Sequence, residues 1–155
     1  MRAEFINPFL SAAVNVFGTM LNTTLARGPL ALKQNGAPMH DVSGLIGMSG
    51  KCRGMVMVSV GRETALNAAG IMLGARPDEV DGDVMDAVGE LTNMIAGAAK
   101  TQLEEYKLSM GLPTVICGKV ETIRFPPEAT PIVIPFESAL GPVCLEVGLV
   151  ETSGA

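Results

Sequence analysis

Asp86-Ala-Val-Gly-Glu90-Leu-Thr-Asn93-Met-Ile-Ala-Gly97 lies in the middle of the longest helical pattern in the chain. At about 100° per residue, Val84, Val88, Leu91 and Ile95 fall on one narrow apolar stripe. Asp86, Glu90, Asn93, Gly97 and Lys100 fall on the opposite side, so the helix buries one face and offers the other. On the offered face a carboxylate and a carboxamide at i and i+3 are neighbours, roughly 5–6 Å apart at their Cβ atoms. Gly89 and Gly97 flank them. Each glycine costs a helix interior about 1 kcal/mol relative to alanine, which suggests that something approaches the backbone closely. The plain alternative is a solvated face whose glycines pack against a neighbouring element of the same chain.

Working outward, the chain before this helix reads as helix, loop, two strands and helix. Phe5, Ile6, Phe9, Leu10, Ala13, Val16, Phe17, Met20 and Leu21 recur at helical spacing. They predict a first helix from Asn7 to Leu25, with Pro8 near its start, where a missing N–H does no harm. Ser11 and Asn15 on it resemble a second, decayed copy of the polar pair, but Ala12 stands three residues before Asn15, so the chemistry is missing. Asn35-Gly36 and Pro38 mark a loop from Gln34 to Asp41. The single His40 in it reads as a surface residue, and one histidine excludes a histidine-rich zinc site. Strands are expected over Val42 to Met48 and Met55 to Val60, then a helix from Arg62 to Leu73 with Gly74 as its stop.

Asp81, Asp83 and Asp86 cluster near the start of the main helix, where acidic side chains favour the exposed N–H groups and the dipole. Asp-Gly-Asp resembles part of a calcium or magnesium loop, yet the alternating oxygen ligands and distal Glu of an EF-hand are missing. The main helix is expected to continue through Lys100 to Tyr106, until Leu112-Pro113 breaks the pattern. Strands then follow over Thr114 to Ile123, Ile132 to Phe136 and Val143 to Val150. Their joints hold Pro126-Pro127, Pro131 and Gly141-Pro142, consistent with antiparallel hairpins. Pro135 points to an edge or a bulge, and Glu151 to Ala155 to a polar tail. This order is a loose duplication of one helix plus a strand group. It predicts an α+β fold, helices packed on one antiparallel sheet.

A chain of 155 residues with 48% hydrophobic content suits one domain with a sizeable core. With no Trp and 4% aromatic residues, that core must be aliphatic, helped by the 10 Met. A net charge of −5 without a Lys/Arg cluster argues against a nucleic-acid partner. No apolar segment approaches the roughly 20 residues a bilayer requires. Glu4, Asn7 and Pro8 interrupt any signal-peptide pattern, so the expected location is the cytoplasm. Cys52, Cys117 and Cys144 are far apart and embedded in apolar or strand-like runs, and read as reduced, buried thiols.

The run Gly-Glu-Leu-Thr-Asn-Met-Ile-Ala-Gly, with Asp86 four residues before Glu90 and Pro113 downstream, resembles the active-site pattern of the CheC/CheX/FliY chemotaxis phosphatases. That pattern is Asp or Ser, three residues, Glu, two residues, Asn, then a more distant Pro. The resemblance covers nearly the whole chain and is strongest to CheX, although the Asn-to-Pro interval is shorter here. It implies two pseudo-symmetric halves, a homodimer, and a phosphorylated CheY-type response regulator as substrate. It also implies that the chain needs no cofactor of its own, because Mg²⁺ and a lysine come with the response regulator. Glu90 and Asn93 are then the catalytic pair, and Asp86, Gly89, Gly97 and Pro113 belong to the partner-binding rim.

The residues themselves leave few other chemistries. A second carboxylate for glycoside hydrolysis is a full turn away at Asp86. No Ser-His-Asp or Cys-His set is available, and no phosphate-binding glycine loop occurs. An amide and an acid can instead complete a site half built by another protein. Hydrolysis of an acyl phosphate needs water held in line and charge compensated, with little covalent chemistry. Asn can orient water without titrating, and Glu can form a charge-assisted bond to a lysine of the partner. Two other functions stay open on the same residues: a receiver-binding module without hydrolysis, and a dimerisation domain of a signalling assembly.

Overall fold

The computed structural model describes residues 3–32, 40–118, 124–125 and 129–152. The element order is α1 (Ala3–Leu21), β1 (Ala26–Arg27), β2 (Ala31–Leu32), β3 (Val42–Ser49), β4 (Cys52–Val60), α2 (Arg62–Leu73) and α3 (Gly82–Gln102). A 3-10 turn (Glu104–Tyr106), β5 (Ser109–Met110), β6 (Thr114–Cys117), β7 (Ile132–Glu137) and β8 (Val143–Glu151) complete it. The loop expected over 34–41 falls largely on residues outside the described ones, as do 119–123 of the strand expected from Thr114, Pro126-Pro127, and 153–155 of the tail.

The expected α+β layering is present. The strands form one 8-stranded sheet in the order β1-β7-β8-β4-β3-β5, with β2 also on β7 and β6 also on β3. Every pairing among the described residues is antiparallel. The two halves are pseudo-symmetric about the β4–β8 pair. Each half contributes a hairpin, β3–β4 or β7–β8, and each lays its short strands on the outer side of the other half's hairpin. The halves are therefore interlocked, and neither closes its own sheet edge.

Residues of all three helices join the sheet in a core that includes Phe9, Phe17, Ile46, Leu66, Leu91, Ile95, Ile134 and Leu145, none exposed above 1–2%. Alternate residues of the strands bury the other side of the sheet too: Met57, Ser59, Cys144 and Glu146 are inaccessible there. Phe125 and Ala129 lie over Gly148 on that side.

Several expectations need correction. Helix α1 starts by Ala3 and takes Pro8 into its interior, and it stops at Leu21 rather than Leu25. Asn22 takes a left-handed φ of 50°, which asparagine tolerates and a helix cannot continue through. Helix α3 ends at Gln102, not Tyr106, because Leu103 leaves the helical region and the chain tightens into the 3-10 turn. Of the edge or bulge expected at Pro135, the bulge is present: Gly28, Pro29 and Leu30 stand opposite Ile134 and Pro135 between the β1 and β2 pairings, and the Pro135 carbonyl accepts the Gly28 N–H at 2.8 Å. Since N–H and C=O of one strand residue point the same way, the missing donor faces that bulge and costs no bond to β8.

Cys52 and Cys144 are buried as expected, but Cys117 is exposed, because β6 lies at the rim of the sheet. His40 is half-buried, not a surface residue. Its backbone N–H donates to Ser59 Oγ at 2.9 Å. Burial pushes its imidazole below the ordinary 6.5, against the opposing pull of Asp41 and Glu137.

Candidate functional site

Helix α3 is capped by Asp81, whose carboxylate accepts the Val84 N–H at 3.0 Å. From there its apolar stripe of Val84, Val88, Leu91 and Ile95 is buried. The stripe can sit close to the sheet because Gly44 of β3 has no side chain where Thr92 crosses it: a Cβ there would overlap the Thr92 hydroxyl. That hydroxyl donates to Val88 O at 2.8 Å, so a polar group is buried without a deficit. Thr92 immediately precedes Asn93, and the contact that seats the helix therefore also fixes the angle at which Asn93 leaves it.

Asp86, Glu90 and Asn93 are exposed on the opposite face. None of their side chains has a hydrogen-bond or ion-pair partner among the described residues. These residues form one wall of a groove of about 550 Å³. The facing wall is Leu112, Pro113 and Val115, the segment that leads into β6, with Met85 and Gly89 between. The groove is thus amphipathic, with two carboxylates and an amide on one side and aliphatic groups on the other.

Asp86, Gly89, Glu90, Asn93 and Pro113 meet in this groove, whereas Gly97 is not among its lining residues. The two glycines also differ in what surrounds them. A Cβ on Gly89 would come to 3.1 Å from Val115 Cγ2 and 3.8 Å from Pro113 Cγ, so Gly89 is buried and its close approach is to the chain's own β6 segment. Gly97 has nothing within 4 Å of a would-be Cβ. Met85, Leu112 and Val115 line the groove although the sequence pattern assigns none of them to the site. Leu112 and Val115 carried no periodic signal, and Met85 lies between the buried and offered stripes of α3.

Helix α1 repeats the burial pattern of α3. Phe5, Phe9, Ala12, Ala13, Val16 and Phe17 occupy the register of Val84, Val88, Leu91, Thr92, Ile95 and Ala96. In that register Asn7, Ser11, Val14 and Gly18 answer to Asp86, Glu90, Asn93 and Gly97. The decayed copy is thus Ser11 with Val14, not Ser11 with Asn15, and it holds neither acid nor amide.

Residues 42–137 match the family described as chemotaxis phosphatase CheX. The chain belongs to that family. The CheX match spans both strands of the first hairpin, all of α3 and the whole groove. The chain is similar to the CheY-P phosphatase CheX of Thermotoga maritima, 26% identical over 122 residues, which cover 77% of this chain and 79% of that one. It is also similar to the crystal structure of a CheC-like superfamily protein from Shewanella sp. PV-4, with 38% identity, a TM-score of 0.87, and 97% and 99% of the two chains covered. A third similarity is to the crystal structure of the CheX–CheY–BeF3–Mg²⁺ complex from Borrelia burgdorferi, at 25% identity, a TM-score of 0.79, and 97% and 100% coverage.

The helices-on-sheet architecture of this CheX-family chain is accordingly the CheC-like one. Among the described residues no helix is long and apolar enough to cross a membrane, and no group of three or more His, Cys, Asp or Glu is placed to hold a metal ion.

Proposed function

We propose that this chain, as a single cytoplasmic domain, dephosphorylates the aspartyl phosphate of a CheY-type response regulator. Asn93 enters the partner's active site and orients the attacking water, and Glu90 engages the partner's lysine and sets the docking register. The observation that carries this is the acid–amide pair on the open face of α3, lining a groove with its hydrogen-bonding capacity unspent. The membership in a phosphatase family and the similarity to a CheY-P phosphatase and to a CheX complexed with CheY support it.

The chemistry asks little of the chain. Water adds to phosphorus in line with the acyl oxygen, the P–O bond to the partner's carboxylate breaks, and the water proton passes to the phosphate formed. The amide of Asn93 accepts from or donates to that water, and its neutrality lets it work at any pH. Charge on the phosphoryl oxygens is left to the partner, which the family resemblance implies brings Mg²⁺ and a lysine. Glu90 gives up its water only on docking, when it gains a charge-assisted bond to the partner's lysine. Asp86, one turn earlier, adds negative potential to the same wall and favours a cationic surface opposite it. Pro113 stiffens the other wall. Ser11 and Val14 leave α1 without a working pair, so one chain carries one site, and a homodimer carries two.

The test is phosphate release from a receiver charged with acetyl phosphate. Wild-type protein is expected to accelerate the decay, and Asn93→Ala to abolish most of the acceleration with the fold unchanged, since an exposed polar position contributes little stability. Decay as fast with Asn93→Ala as with wild type overturns the assignment.

A further inference from the structure

Leu112 is 91% exposed, and the next large apolar residue among the described ones, Leu73, only 52%. It is not a loose loop tip. The Gly111 N–H donates to Gly47 O at 3.0 Å on one side of it, and β6 pairs with β3 from Thr114 on the other. Pro113 restricts Leu112 to extended backbone, and Pro113 and Val115 are themselves seated against Gly89 of α3. The leucine is therefore held out into water by a rigid support, next to the pair assigned above to the reaction. Lone exposed apolar residues are ordinary on protein surfaces. One that is fixed in place and shares a groove with a polar pair awaiting a partner is not placed at random.

We propose that Leu112, continued by Pro113 and Val115, is the specificity-determining contact for the response regulator. It packs on an aliphatic or aromatic side chain of the receiver that lies beside the cation engaged by Glu90. This rests on the reading of the groove as the receiver's docking site. A receiver that brings its phosphoryl group to Asn93 must enter the groove, and Leu112 lines the opposite wall, so the two contacts form together. The polar wall demands positive charge and hydrogen-bond donors, and the aliphatic wall demands their absence. The matching surface on the partner is accordingly a cation flanked by an apolar side chain. A receiver with a polar or charged group at that flank would have it stripped of water without a partner, which discriminates against it. Because the wall is already rigid, little conformational entropy is lost on docking.

The experiment is steady-state dephosphorylation over a range of phosphorylated CheY-type receiver, with Leu112→Ala, Leu112→Asp and Leu112→Met, alongside Asn93→Ala and a sedimentation measurement of mass. Leu112→Ala is expected to raise KM on the order of tenfold with kcat within about twofold, as loss of one buried leucine contact implies. Leu112→Asp raises it further, and Leu112→Met restores it because it refills the same volume. An unchanged KM in Leu112→Ala and Leu112→Asp, with Asn93→Ala inactive, overturns this inference and leaves the phosphatase assignment standing. A change of oligomeric mass in Leu112→Asp at unchanged KM also overturns it, and assigns the leucine to a second copy of the chain. Full activity in Asn93→Ala instead removes Asn93 from the reaction, and a wild-type protein that does not accelerate dephosphorylation removes the phosphatase assignment itself.

Discussion

Replacing Gly44 by alanine tests whether the seat of α3 on β3 sets the catalytic geometry. The new Cβ would overlap the Thr92 hydroxyl and lie 3.0 Å from Thr92 Cβ. Thr92 is fully buried, with its hydroxyl bonded to Val88 O, so it has nowhere to move without loss. Either the side chain turns and gives up that bond, or α3 lifts from the sheet. Overpacking of this kind costs about 1–3 kcal/mol, and a broken buried hydrogen bond about 1 kcal/mol more. The expected destabilisation is about 2–4 kcal/mol, a substantial part of the roughly 5–15 kcal/mol available to a domain.

Chemical denaturation reads this as a lower midpoint at an unchanged slope. A lifted helix also displaces Asn93, the next residue after Thr92, and misplacement by about 1 Å can cost on the order of 100-fold in rate. Turnover in the Gly44→Ala protein should therefore fall under conditions where it is still folded. Adding Thr92→Ala removes the overlapping hydroxyl and recovers part of both losses, with a coupling above about 1 kcal/mol. A Gly44→Ala protein that keeps its stability within about 0.5 kcal/mol and its full turnover refutes the reasoning, as does strict additivity of the pair.

Three further outcomes follow from other residues. Asp81→Ala removes the cap of α3 and should cost about 1 kcal/mol, within a range of about 0.5–2, in urea denaturation. Of the thiols, Cys117 is exposed and Cys52 and Cys144 are buried, so a thiol reagent should modify Cys117 alone in the native protein and all of the cysteines in denaturant. Burial lowers the His40 pKa below 6.5, so below that value the unfolded chain binds the proton that the folded chain resists. Stability should then fall as pH drops through about 6.5 and level off once the folded imidazole also titrates. His40→Asn should flatten this slope in denaturation series at successive pH values, and a slope unchanged by the substitution would assign it to other groups.

What could be read from the sequence was whatever repeats over several turns or strands. The stripe of Val84, Val88, Leu91 and Ile95 fixed α3 and its offered face, and the turn signals around 42–60 and 132–150 fixed both hairpins. Strands β1, β2 and β5 have two residues each, too few for a period of 2 to register. They are nevertheless what interlocks the halves. The end of α1 was legible in Asn22, a residue that takes the left-handed conformation, but the apolar Leu25 extended the pattern past it.

The spacing rule found Glu90 and Asn93 because a helix brings i and i+3 together wherever it lies. It could not find Leu112 or Val115, which reach the groove only through the pairing of β6 with β3. The exposure of Cys117 was hidden for the same reason: whether a strand is central or at the rim is a property of the sheet. Gly89 illustrates the limit from the other side. Its smallness correctly indicated a close approach, but the neighbour is Val115 of this chain.

The claim on which the function depends is that Asn93 serves the chemistry and not the docking, and the most direct test measures both on one protein. For Asn93→Ala, the affinity for a BeF3-loaded receiver and the rate of phosphate release from the phosphorylated one are determined side by side. The expected result is an affinity within a few-fold of wild type and a turnover lower by on the order of 100-fold, about 2.7 kcal/mol of transition-state stabilisation. Turnover that stays at the wild-type rate, or that falls only in proportion to a lost affinity, would contradict it.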